Sequence, residues 1–123
     1  MRFQQPMQKP FSTILFIYRD EWIRLIVYIS FNLGYIFIKG YESNRGEKTS
    51  NIFNASFTHQ ISISHENFDD FCQALKLKTN SRDNMCDTLR EKFNGKFGLQ
   101  LLSDYLKGHG VKFGEYIHDK SDD

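Results

Sequence analysis

Between Phe57 and Leu75 the spacing of hydrophobic positions changes from two to 3.6 residues. Phe57, His59, Ile61 and Ile63 alternate with Thr58, Gln60, Ser62 and Ser64, the pattern of a strand with one dry face. Phe68, Phe71, Cys72 and Leu75 then follow helical spacing. Ser64 stands where a helix over about 65–77 would be capped, with Ile63 and Phe68 at the positions of a hydrophobic staple. Glu66, Asp69 and Asp70 lie near the positive end of its dipole, Lys76 and Lys78 near the negative end. These cues agree on an α+β domain.

Thr13–Tyr18 is a short β-type run, and Arg19-Asp20-Glu21 is the right length for a hairpin connection. Ile23–Phe31 is rich in β-branched and aromatic residues. Ile23, Leu25, Val27, Ile29 and Phe31 form its apolar face; Arg24, Ile26, Tyr28 and Ser30 form a mixed one. Asn32-Leu33-Gly34 reads as a turn before a third strand over Tyr35–Tyr41. Residues 42–54 are polar and read as a loop, and a fourth strand runs from about Ala55 to Ile63. The expected fold is a four-stranded, mostly antiparallel sheet over about 13–63, followed by three helices (about 65–77, 82–93 and 99–107) packed on one face. Ser81 caps the second helix, and Asn94-Gly95 stops it. Val111-Lys112-Phe113 reads as a short strand or a docking tail. Residues 1–10 are expected to form a mobile arm, 11–118 one domain and 119–123 a frayed acidic tail.

Composition narrows the class. At 123 residues, with twelve Phe, six Tyr and one Trp, the chain suffices for one aromatic-rich core. The formal charge is +1, with seven Lys/Arg against four Asp/Glu in residues 1–50 and nine against eleven in 51–123. That is no electrostatic footprint for general phosphate tracking. The apolar region 11–38 is interrupted by Arg19-Asp20-Glu21, Arg24, Asn32 and Gly34, so its pieces fall short of the roughly 20 apolar residues a spanning helix needs. No membrane association is expected, and the N-terminus lacks a signal-peptide core, so the expected location is cytoplasmic. Cys72 and Cys86 read as two reduced core thiols, with a disulfide between them left open.

Catalytic chemistry finds no foothold. His59, His65, His109 and His118 do not sit at the close spacing of a zinc pair, and neither Cys belongs to a CxxC. There is no nucleophile elbow, phosphate-binding glycine loop or metalloprotease signature. Asp69 and Asp70, as helix neighbours, point about 100° apart and do not converge on one atom. His59 shares the apolar face of its strand and reads as a satisfied core or edge imidazole. The expectation is a protein that is not an enzyme and has no cofactor or metal.

Three patterns bear on nucleic-acid binding. Gly95-Lys96-Phe97-Gly98 between two helices resembles the GxxG loop of KH domains, which would imply a nucleic-acid backbone held at Gly95, Lys96 and Gly98. The element order and the chain after the loop depart from that family, and a helix–helix turn uses such glycines for backbone freedom alone. Residues 82–107 can be read as a helix-turn-helix, although its second helix offers only Gln100, Ser103 and Lys107 for contacts. The meander and the helix carrying Asn67-Phe68-Asp69-Asp70-Phe71 loosely resemble the repeat of the PUR family of nucleic-acid-binding proteins, over about 23–77. That resemblance implies stacking rings Tyr28, Tyr35 and Phe37 with Arg24 and Lys39 nearby; Arg45 and Lys48 would complete a basic stripe.

Small size, near-neutral charge and abundant aromatics point instead to a protein-docking module, a subunit or inhibitor of a larger protein partner. Its anchors would be Tyr18, Trp22, Tyr41 and Tyr105. That is the preferred expectation, with nucleic-acid binding the alternative and a homodimer through an edge strand a further option.

Overall fold

A computed structural model describes residues 10–44, 56–79 and 81–119. One antiparallel sheet runs in chain order: β1 (Phe11–Arg19), β2 (Ile23–Asn32), β3 (Tyr35–Asn44), β4 (Phe57–Ser64) and β5 (Gly114–Asp119). Helices α1 (Phe68–Leu75), α2 (Arg82–Lys92) and α3 (Gly98–Gly108) lie between β4 and β5 in sequence. The α+β class agrees with expectation, but the sheet has five strands, not four. The chain returns after the helices to add β5 at the edge, and Val111–Phe113 is the connection to it. β5 eludes sequence patterning because it is short and its apolar residues, Tyr116 and Ile117, are adjacent rather than alternating. All of the proposed 1–10 arm except Pro10, most of the acidic tail, and Arg45 and Lys48 lie outside the described residues; Asp119 ends β5.

Local chemistry sets the turns. The Asp20 carboxylate accepts from the backbone N–H groups of Trp22 and Ile23, 2.8 and 2.9 Å, and from the Tyr18 hydroxyl. These side-chain bonds mimic a backbone turn, and the two amides hold the Asp20 carboxyl below its usual range. Between β2 and β3 the chain reverses through Leu33 and Gly34, both at positive φ, as a two-residue hairpin of the I′ kind requires. A bulge between Ile14 and Phe16 inserts Leu15 into β1 and turns it inward.

The first helix is shorter than its sequence suggests. His65–Asn67 form a 3-10 turn, and the Ser64 hydroxyl accepts from the Asn67 side chain instead of capping a backbone N–H. The α-helix ends at Lys76, at φ 56°, with the Leu77 N–H bonded to the Cys72 carbonyl in a Schellman-type closure. For α2, the Ser81 hydroxyl accepts from the Asn84 N–H at 3.1 Å.

All three helices pack on one side of the sheet. Val27, Ile29, Phe31, Ile36, Ile38, Ile61 and Ile63 from β2–β4 form one cluster with Phe71, Leu75, Met85, Leu89, Leu102 and Leu106. Cys72 and Cys86 are free and buried, and burial pushes the Cys72 thiol up to about 11. Among the described residues no helix is long and apolar enough to cross a membrane.

Candidate docking face and the cleft behind it

The strand register assigns every side chain to the helix-packed face or the open one. On the open face, Ile17, Ile26, Tyr41, Thr58 and His118 form one row across all five strands. Ile14, Tyr28, Lys39, Gln60 and Tyr116 form the next row. Phe37, Tyr35, Arg24 and Arg19 extend this surface. Ile14, Ile17, Tyr35 and Tyr116 are 43–55 % exposed, and none of the described elements lies over them. Tyr35 stacks on Phe37, with centroids 5.5 Å apart, and the Lys39 ammonium lies 5.7 Å from the Phe37 ring centre. Tyr28 meets Tyr41 edge-on at 5.9 Å.

The charges divide by face. Arg19, Arg24 and Lys39 are on the open side, whereas the described carboxylates of the strands, Glu42, Glu115 and Asp119, belong to the helix side. Among the described strand residues, the open face therefore has no carboxylate.

The candidate residues from sequence separate into groups. Arg24, Tyr28, Tyr35, Phe37, Lys39 and Tyr41 gather on the open face. Tyr18 is on the other face, its hydroxyl tied to Asp20, and Trp22 stands in the β1–β2 turn at 70 % exposure. Tyr105 points inward on α3, packs against Phe93 and donates its hydroxyl to the Ala74 carbonyl, so it presents no free ring. Gly95, Lys96 and Gly98 belong to the α2–α3 turn on the helix side. Gly95 takes φ +92°, and a Cβ on Gly98 would meet the Phe93 carbonyl, so turn geometry accounts for both glycines. Sequence reading missed Ile14, Ile17 and Tyr116. The β1 bulge brings Ile14 and Ile17, three apart, to the same face, and Tyr116 belongs to the unexpected fifth strand.

On the helix side a cleft of about 440 Å³ opens between the sheet and the start of α3, lined by Leu25, Gly40, Glu42, His59, Phe97 and Leu99 among others. Burial pushes the Glu42 carboxyl above its usual range, partly offset by Lys96. His59, almost fully buried, donates from Nε2 to Glu115 Oε2 at 2.7 Å, and Lys107 Nζ lies 3.5 Å from the other carboxylate oxygen. Burial alone would raise the Glu115 carboxyl. The His59 hydrogen bond, the adjacent Ser103 hydroxyl and Lys107 outweigh it, leaving the group below its usual range. The buried Ser103 hydroxyl itself makes no regular hydrogen bond. This chain ties β4, β5 and α3 together and commits the imidazole nitrogen that faces Glu115. Among the described residues, no three His, Cys, Asp or Glu side chains could share a metal ion. The chain matches no family model, no curated protein and no solved structure.

Proposed function

We propose that this protein is a non-enzymatic module that docks on a larger protein through the open face of its sheet. The observation that supports this is the make-up of that face: Ile14, Ile17, Ile26, Tyr28 and Tyr41 adjoin across three strands, and the charges on its described strand residues, Arg19, Arg24 and Lys39, are all cationic. A partner of matching chemistry has an apolar centre rimmed by Asp and Glu. The free buried thiols fit a reducing compartment such as the cytoplasm. A homodimer through a sheet edge is compatible with this reading, because edge and face are different surfaces.

The test is site-specific photo-crosslinking in cells, with the probe at Ile26 or, as control, at Gln73 on the exposed side of α1. A protein adduct should form from Ile26 only. The purified adduct partner should then bind about tenfold or more weakly to Lys39→Glu, roughly 1.4 kcal/mol or above. Unchanged affinity in both Lys39→Glu and Ile26→Glu would reject the open face as the docking surface.

Single-strand nucleic acid is the second reading, favoured by the Tyr35–Phe37 stack beside Lys39. The three cations among the described residues of this face are few for tracking a phosphate backbone. Anisotropy titrations with single-stranded DNA, single-stranded RNA and duplex DNA at about 50 and 200 mM salt separate the two. Salt-sensitive binding abolished by Tyr35→Ala would reassign the face to nucleic acid.

A further inference from the structure

The two edges of the sheet are finished differently. At the β1 edge, the ladder is broken by the bulge at Leu15, and Arg90 of α2 reaches over it. Arg90 Nε donates to the Leu15 carbonyl at 2.7 Å, and Nη2 donates to the Ile14 carbonyl at 3.1 Å. A bulge and a covering cation are two devices that stop an edge from recruiting another strand.

Among the described residues, β5 shows neither a bulge nor a side chain bonded across its outer carbonyls. Its register with β4 runs unbroken from Ser62↔Gly114 to Phe57↔Asp119. The strand, Gly114-Glu115-Tyr116-Ile117-His118-Asp119, contains no Lys, Arg or Pro. Tyr116 and Ile117 are 55 % and 50 % exposed on opposite faces of it. An inward-pointing charge can also guard an edge, but the Glu115 carboxylate is already engaged by His59 and Lys107. The exposure of Ile117, on the helix side, also means that the helix layer stops short of this rim.

We infer that β5 pairs with β5 of a second copy of this chain, antiparallel, about a two-fold axis normal to the sheet. The result is a ten-stranded sheet with both helix layers on one side and both open faces on the other. The sealed β1 edge argues for a second copy. Joining two β5 edges uses both, leaves a sealed edge at each end and closes the assembly at two chains.

Side-chain alternation fixes the choice of register. Residues directly opposite each other must point to the same face, so the axis passes beside a residue and not between two. An axis at Ile117 sets Glu115 against Asp119 twice, and like charges directly opposite are unfavourable. An axis at Tyr116 pairs Glu115 with Ile117 and Gly114 with His118, and brings the two Tyr116 rings together on the open face. Of these two, the Tyr116 register avoids opposed carboxylates and is the one inferred.

Light scattering on the full chain should give about twice its 14.6 kDa mass. Tyr116→Lys should return it to a monomer that is still folded by circular dichroism, since that ring is exposed in the single chain, with a melting temperature that no longer rises with protein concentration. Tyr116→Cys should form a reducible dimer readily, because directly opposite Cβ atoms stand about 4.5–5.5 Å apart, whereas Ile117→Cys should not. The native thiols are buried and do not compete. A monomeric wild-type mass at every concentration would overturn the dimer, and faster cross-linking through Ile117→Cys would overturn the register. Lys39→Glu should keep the dimeric mass, so that failure of the docking face and failure of the edge are read separately.

Discussion

β2 has two faces with different fates. Ile23, Leu25, Val27, Ile29 and Phe31 are buried beneath the helices, whereas Arg24, Ile26, Tyr28 and Ser30 on the same strand stay partly exposed. The backbone and its ladder are common to both faces; among the described residues only one face has a second layer. An antiparallel sheet with one solvated side ordinarily alternates apolar with polar residues. Here the solvated side keeps Ile14, Ile17, Ile26, Tyr28 and Tyr41, apolar surface that folding of the described chain leaves exposed or only partly buried. The proposed docking rests on this surplus, bordered by one sign of charge among the described strand residues.

The sharpest way to break the comparison is to truncate one ring on each side. Phe71 is fully buried and Phe68 nearly so. Phe71→Ala or Phe68→Ala should destabilise the fold by roughly 3–5 kcal/mol, as core Phe truncations do. If denaturation of both variants matches wild type, the helix side is not the core. Next in size is Gly40→Ala. A Cβ at Gly40 would come within 2.6 Å of Leu99 Cδ1 and 3.3 Å of Leu25 Cδ1. Overpacking of this kind costs about 1–3 kcal/mol; an unchanged urea midpoint would mean that Leu99 moves aside freely.

Arg90→Met tests the sealed edge. It removes two charge-assisted hydrogen bonds to β1 carbonyls while keeping much of the side chain's bulk. A loss of about 1–3 kcal/mol is expected, together with species larger than a dimer in light scattering. Retention of the wild-type mass distribution would show that the bulge alone protects β1. On the open face, Tyr41→Ala should cost no more than about 1 kcal/mol, the scale of a cross-strand aromatic contact, while weakening the docking contact. A core-sized loss would place that ring among the structural ones.

Much of this molecule could be read from its sequence where pattern and packing coincide. The strand runs from Ile23 to Ile63 and the Ser81 cap depend on neighbours close in sequence. β5 was invisible because its place is set by pairing with β4, some fifty residues earlier, and Tyr116 and Ile117 look like an exposed tail until that pairing is known. The bulge hid Ile14 and Ile17 for the same reason, since alternation alone puts them on opposite faces. Of the candidate site residues, Arg24, Tyr28, Tyr35, Phe37, Lys39 and Tyr41 shared strand parity, and the register brings them together. Tyr105 was unreadable as an inward ring because the Ala74 carbonyl that receives its hydroxyl belongs to another helix.

The smallest effect concerns the contact that fastens β5. Glu115 titrates below its ordinary value of 4.5 in the folded chain, because the restraining bonds outweigh burial. A carboxylate whose folded pKa is depressed adds stability that is present above its unfolded pKa and lost as pH falls through the folded one. Glu42 works in the opposite sense. Burial raises its pKa, so it costs stability as pH climbs from 4.5 through its folded value. Glu115→Gln keeps an acceptor for the His59 N–H but removes only the first contribution. The stability gap between wild type and Glu115→Gln should therefore be widest above pH 4.5 and should shrink as the solution is acidified below it. Denaturant melts across that range read the gap directly. A gap that stays constant from neutral to acid pH would mean that Glu115 holds β5 by shape and hydrogen bonding, with no contribution from its charge.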